Sequence, residues 1–350
     1  MESEKFIYWL EEVGAKDGLL VGNKCANLGE MIQLGMRVPP GFAISAYGYN
    51  QFTDETGTLK EILSYINSTG IIEGIEKLDE ASRMIRAIIE HKEIPHDLKA
   101  EIVSAYKTLC DKMGTGDAPV AVRSSGLAED SAGASFAGQF ESYLNVKGEK
   151  ELLEKVKIVW SSAFTARAIS YRIRKGLAIE GDSIGVAVLA MVNARASGIS
   201  FTVDPVTGDP KKIIIEANWG LGEGVVSGAE SVDGFVVNKE DLEVINTHVG
   251  KKTRCVVNME QGAEWADVPP NMQDIACISE DEIKEIAKVA KSVEKSLDCP
   301  QDMEWAIDQN LSFPESVFFL QTRPAMAQVK KPESTTDRMI DMIAKRFYRP

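Results

Sequence analysis

Residues 301–324 read QDMEWAIDQNLSFPESVFFLQTRP. Two runs within it, MEWAID from Met303 and VFFLQTR from Val317, have the apolar and aromatic content of strands, and the polar residues 309–316 between them suit a hairpin turn. Successive strand side chains point to opposite faces, so Asp302 and Glu304 share a face of the first strand while Gln321 and Arg323 share a face of the second. If the runs pair, these side chains converge on one small volume holding two carboxylates, an amide oxygen and a guanidinium. Such a set suits Mg²⁺ bridged to phosphates and a charge clamp on a transferring group. Charged residues alternating with apolar ones equally suit a solvated strand face, so the meaning of the hairpin depends on the rest of the chain.

Upstream, three glycine-rich segments have chemistry compatible with phosphate. VGNKCANLGEM, from Val21, places Lys24 among small residues where a backbone can approach an anion closely, although the G-x-x-x-x-G-K-[ST] loop is absent. VPPGF, from Val38, reads as a rigid turn. AVRSSGLAEDSAGASFAGQFESYLNV, from Ala121, is poor core material, but its small residues expose backbone N–H groups and Arg123 at its mouth could grip a polyphosphate bidentately. EANWGLGEGVVSG, from Glu216, sets Glu216 or Glu223 near nucleotide hydroxyls or a metal. Taken singly, each segment also reads as a surface lysine, a solvated loop or a plain glycine turn.

Between these segments the chain alternates helices and strands without internal repeats, which implies an α/β or α+β class. Residues 59–113 are expected to be mainly helical, interrupted at Pro95 and ended by Gly114-Thr115-Gly116. PVAVRSS from Pro119, IGVAVLAMV from Ile184 and IIIEA from Ile213 read as strands, with a loop holding Asp204-Pro205 and Thr207-Gly208 between the last two. The spacing of Leu152, Val156, Val159, Ala163 and Phe164 predicts one helix over 150–175. Ser279 and Glu282 form a capping box ahead of an apolar stripe from Ile283 to Leu297. Beyond Lys330-Lys331-Pro332, the residues Met339, Ile340, Ile343 and Phe347 share one side of a short terminal helix that would dock on its own domain or on a partner.

Composition excludes several classes. The 350 residues carry a formal net charge of −14 and no long Lys/Arg run, which argues against nucleic-acid binding. Cys25, Cys110, Cys255, Cys277 and Cys299 are scattered with no C-x-x-C pair, as expected of reduced thiols. No segment has the length of a membrane span and no secretory leader is visible, so the expected setting is the cytoplasm. Paired carboxylates raise a glycosidase as a second reading, which the phosphate-compatible loops disfavour.

Taken in order, GNKCANLGEM, VPPGF, AVRSSGLAEDSAGASFAGQ, TARAISYR, ASGISFTVDPVTG, EANWGLGE, QDMEWA and LQTRP resemble the nucleotide-binding region of the phosphoenolpyruvate synthase, pyruvate phosphate dikinase and rifampicin phosphotransferase family. The resemblance runs over nearly residues 10–328. It implies an ATP-grasp fold, with a first lobe over 1–189, a second over 190–328 and a tail over 329–350, and with ATP and Mg²⁺ (or Mn²⁺) in the cleft. By position, Lys24 and Arg123 match the family's phosphate-binding Lys and Arg, and Gly138 and Ser142 match positions lining the nucleotide pocket. Glu304 and Gln321 match metal and phosphate ligands, Arg323 the arginine that assists transfer, and Asp302 a weaker metal match.

Three positions, at two places in the chain, depart from the family pattern. Leu189 stands where many relatives have Gln, and cannot hydrogen-bond an adenine edge, while Gly126 and Ala132 replace residues of the usual RSSAT-type loop. The resemblance further implies transfer of the β-phosphate to a histidine. His91, His96 and His248 lie in no phosphohistidine-like sequence, so the expected carrier is a partner subunit or domain with its own small-molecule acceptor. An ATP-sensing regulatory subunit and a self-contained small-molecule kinase are the rival expectations.

Overall fold

The computed structural model describes residues 5–69, 75–127, 141–179, 183–226, 231–259 and 262–325. Two antiparallel sheets organise it. The first contains β1 (Ile7–Trp9), β2 (Gly41–Ile44), β3 (Val120–Gly126), β4 (Ser142–Val146) and β5 (Ile184–Ala190) in the order β1-β2-β5-β3-β4. Its two faces differ sharply in side-chain size. Phe42, Ile44, Val120, Val122, Val186 and Val188 pack beneath Tyr49, Phe52, Ile85, Leu98, Tyr106 and Trp160 of the covering helices. The opposite face carries Ala43, Ala121 and Ala187, which leave room for the Asn23–Gln33 helix and for a cleft.

The second sheet contains β6 (Ala194–Phe201), β7 (Lys212–Trp219), β8 (Asp233–Asn238) and β9 (Val244–His248). A two-stranded ribbon follows, β10 (Arg254–Asn258) with β11 (Ala263–Asp267), and then β12 (Gln301–Asp308) and β13 (Val317–Pro324) complete the sheet in the order β13-β12-β6-β7-β8-β9. The Glu280–Leu297 helix covers one face, setting Ile283, Ile286, Ala287, Ala290 and Val293 against Ile213, Ile215, Met303, Trp305 and Ile307. Each large apolar side chain buried there contributes about 1.5–3 kcal/mol. The helix starts where its capping box predicts: Glu282 N–H donates to Ser279 Oγ at 3.3 Å and Ser279 N–H to the Glu282 carboxylate at 2.8 Å.

Below β8 lies a wholly buried ion pair. Lys252 Nζ donates to Asp233 Oδ1 at 2.6 Å, and the same carboxylate accepts from the N–H groups of Gly250 and Cys277 at 3.0 and 2.8 Å. This network fixes the approach to β10, which is joined to the β7 exit by the Leu221 N–H to Val256 O bond of 2.8 Å.

Several expectations are refined. The 59–113 region comprises helices Thr58–Thr69, Ile75–His91 and His96–Met113, the last ended by Gly114 in the left-handed conformation. The single helix expected over 150–175 is two, Gly148–Ser161 and Ala166–Lys175, because the Thr165 hydroxyl accepts from Ala168 N–H and starts a new helix. Residues 194–201, read within a loop, form the central strand β6. The hairpin is present, with Asp302 opposite Arg323 and Glu304 opposite Gln321. No helix among the described residues is long and apolar enough to cross a membrane.

Candidate active site

The two sheets face each other across a cleft of ≈ 950 Å³, part of it open to solvent. One end is apolar, walled by Leu144, Leu189, Met191, Val192, Leu221 and Val226. Towards the other lie Arg123, Ser142, Glu223 and Glu304. An apolar slot leading to convergent charged groups is the form expected of a nucleotide site.

Arg123 is central. It lies on β3 in the row of Ala43 and Ala187, whose short side chains let the guanidinium reach across the cleft. Its Nη2 donates to Glu304 Oε2 at 2.9 Å and to Gln321 Oε1 at 3.0 Å, and Nη1 donates to the Leu320 carbonyl at 3.3 Å. That carbonyl is accessible because the β12–β13 register shifts between Glu304 and Trp305, leaving Leu320 without a residue opposite. Ser142 pairs with Arg123 from β4. Beside this group, Arg323 donates from Nε and Nη2 to Asp302 Oδ2 at 2.8 and 2.7 Å.

Lys24 enters from the first turn of the Asn23–Gln33 helix. The start of that helix is held against β3: Cys25 N–H donates to Ser125 Oγ at 3.0 Å, and Asn23 Nδ2 to the Leu127 carbonyl at 3.1 Å. Gly22 precedes it at φ +80°, where a Cβ would lie 1.8 Å from the Ser125 carbonyl oxygen, so only glycine allows this approach. Further along the helix, Asn27 Nδ2 donates to the Thr322 carbonyl at 3.2 Å, tying it to β13.

Electrostatics agree with the geometry. Burial alone would push the Glu304 carboxyl upward, but Arg123, Lys24 and Arg323 more than offset it and hold the group below the usual glutamate range. Burial raises Glu216 and Glu223, the latter opposed by Arg123. Glu216 is in the row of Ile199, Glu304 and Gln321, two strands from Glu304, on the same face. The donors fit a hard cation: carboxylate and amide oxygens, with no group of three or more His, Cys, Asp or Glu poised for a metal among the described residues. Mg²⁺ commonly takes one or two carboxylates and leaves the remaining positions to phosphates and water.

The structure thus brings Lys24, Arg123, Ser142, Glu304, Gln321, Arg323 and Asp302 to one end of the cleft and sets Glu216 further along the same sheet. Gly138 and the terminal stripe from Met339 to Phe347 lie outside the described residues. Sequence reasoning did not single out the apolar wall of Leu144, Leu221, Val226, Ala306 and Leu320, whose only signal is the apolar content of segments read for their glycines and charges.

Residues 19–343 match the family described as pyruvate phosphate dikinase, AMP/ATP-binding domain. Among curated proteins, the chain is 41% identical to the phosphoenolpyruvate synthase of Aeropyrum pernix, covering 94% of this chain and 43% of that protein. It is 39% identical to the probable phosphoenolpyruvate synthase of Methanocaldococcus jannaschii, covering 98% of this chain and 28% of that protein. The chain therefore spans less than half the length of these relatives. A biotin carboxylase structure from Campylobacter jejuni shares 14% identity at a TM-score of 0.30, covering 71% of this chain and 41% of that one, a likeness too distant to argue from.

Proposed function

Because the chain belongs to the pyruvate phosphate dikinase AMP/ATP-binding domain family, whose fold is ATP-grasp, we propose that it is the ATP-binding, phosphoryl-donating part of a phosphoenolpyruvate synthase-like dikinase. The observation that supports this best is Arg123 poised between Glu304 and Gln321 at the charged end of a cleft with an apolar far end. ATP would lie with its base in the apolar slot and its phosphates toward Lys24, Arg123 and Arg323. Ser142 and residue Gly138 would line the nucleotide, and Glu216 would face its ribose side. Residues 1–189 and 190–328 act as the two lobes, and 329–350 as a partner contact.

Glu304 and Gln321, with Asp302 nearby, would hold Mg²⁺, which supplies charge neutralisation on the phosphates when bound. Catalysis by this chain is positioning and electrostatics. A histidine nitrogen outside residues 1–350 attacks the β-phosphorus in line. The N–P bond forms as the bond from the β-phosphorus to the α-phosphate oxygen breaks, and AMP leaves. Water then cleaves the remaining anhydride, releasing Pi and leaving phosphohistidine for a small-molecule acceptor such as pyruvate or a phenol. The setting is cytoplasmic, and the carrier is a partner subunit or further domain. His91, His96 and His248 do not line the cleft.

The test is to isolate the native complex, supply β-³²P-labelled ATP and look for acid-labile label on a histidine outside this chain's residues. Label that never leaves nucleotide would refute donation. Arg323→Ala is expected to retain nucleotide binding and lose transfer by a factor on the order of 10³; unchanged transfer would remove Arg323 from the mechanism.

A further inference from the structure

Two walls at the apolar end of the cleft belong to different sheets: Leu144 lies on β4 of the first, and Leu221 follows β7 of the second. The β10–β11 ribbon touches the neighbours of both. Just ahead of β10, Lys252 is held by its buried pairing with Asp233 and by its N–H, which donates to the Gln273 carbonyl at 2.9 Å. Midway along β10, Leu221 N–H donates to the Val256 carbonyl at 2.8 Å and Asn218 Nδ2 to the Arg254 carbonyl at 3.2 Å. The ribbon therefore backs the turn that brings Leu221, Glu223 and Val226 to the cleft. At its far end Met259 N–H donates to the Gly262 carbonyl at 3.1 Å, and the Met259 carbonyl accepts from Asn145 Nδ2 of β4.

The backbone places Asn145 for this contact. One residue of β3, Ala121, faces two of β4, Leu144 and Asn145, so the strand bulges there. Asn145 takes the extra position at φ +59°, a conformation that Asn, Asp and Gly adopt with least strain. The bulge leaves Ser142 and Leu144 on the cleft and returns Val146 to the core beneath the helices. Neither Asn145 nor Met259 is among the described residues lining the cleft. This separates their bond from the Arg123 contacts, which engage Glu304 and Gln321, the groups a ligand would claim. A tie outside the cleft survives ligand entry. Resting on the ATP reading above, we infer that Asn145 is a positioning residue: by anchoring the ribbon to β4 it holds the Leu144 and Leu221 walls closed on bound nucleotide. Nucleotide can leave only as these walls part, so the bond acts on its release.

The test measures ATP association and dissociation rates on the full chain with Mg²⁺. Asn145→Gly keeps the left-handed backbone and removes the amide. Asn145→Asp keeps that backbone and sets an oxygen against the Met259 carbonyl. ATP should leave Asn145→Gly about tenfold faster than wild type, the worth of one hydrogen bond, and leave Asn145→Asp faster still. For Asn145→Gly, the association rate and the melting temperature without nucleotide should stay near wild type, because Met259 is exposed and water can take the place of the amide. A role confined to shaping the bulge predicts wild-type rates in both variants, since both residues accept the backbone. Unchanged dissociation in both variants, or an effect confined to association, therefore overturns the inference and leaves the dikinase reading standing. Should the variants fail to fold, hydrogen exchange on wild type decides: the amides of residues 254–258 and 263–267 should exchange more slowly once ATP and Mg²⁺ are bound, and exchange that nucleotide leaves unchanged overturns the inference. Absence of all nucleotide binding in wild type would remove the ATP reading and this inference with it.

Discussion

Glu304 titrates under opposing influences, and their balance can be measured. An ordinary glutamate titrates at about 4.3, and the cations around Glu304 hold it lower in the folded chain than burial would set it. Its charge therefore contributes fully above the ordinary range, and the contribution is lost as pH falls through the depressed folded value. Melting curves of wild type and Glu304→Gln should differ by a constant amount near neutral pH and draw together as pH falls below the ordinary glutamate range; a gap with no pH dependence would contradict the assignment. Lys252 offers a test unrelated to nucleotide. Lys252→Met leaves the Asp233 carboxylate buried without its cation, at a cost of about 3–5 kcal/mol, and a companion Asp233→Leu should recover much of the loss. The residues that the structure gathers at the charged end of the cleft stood out in the sequence because charged and glycine-rich segments are conspicuous in an ordinary composition. The Lys252–Asp233 pair was not, because nothing in KKT or VDG signals burial.

At the scale of elements, legibility followed periodicity. The Glu280–Leu297 helix could be read from its cap and stripe because both are local. Strand β6 could not, because ASGISF has a single branched residue, Ile199, among small residues that are poor strand markers. Its composition answers to neighbours instead: a Cβ on Gly198 would lie 1.9 Å from the Glu216 carbonyl oxygen and 2.6 Å from the Trp305 ring. The split of the 150–175 helix at Thr165 was hidden for a similar reason, since the apolar stripe continues across the break. The helix bearing Lys24 depends on Gly22. Gly22→Ala should lower stability by at least about 1–3 kcal/mol of backbone strain and weaken ATP binding by pushing the helix start from β3, as a melting curve and a binding titration would reveal. Normal binding with normal stability would mean the contact with Ser125 is dispensable.

Across the whole molecule, the two sheets are joined at rest by the groups expected to hold ligand. Arg123 occupies Glu304 and Gln321, so Mg²⁺ alone is expected to leave the melting temperature unchanged, whereas ATP with Mg²⁺ at a hundredfold excess over Kd should stabilise by about 2.7 kcal/mol. In Arg123→Ala, Mg²⁺ alone should become stabilising; if it does so in wild type, the resting contact is no barrier. That the amide and guanidinium of β13 reach the space between the two sheets depends on the bulge at Leu320. On β13, Val317 and Phe319 belong to the buried core, and strict alternation would send Gln321 and Arg323 to the same side. The extra residue reverses the parity of the strand midway, so odd positions serve the core before Leu320 and the cleft after it. A regular strand of the same composition would turn its amide and guanidinium inward, disabling the site through arithmetic rather than through the loss of any reactive group, whereas deleting Leu320 would bring Gln321 directly after Phe319 and keep both groups on the cleft side while removing the carbonyl that accepts from Arg123.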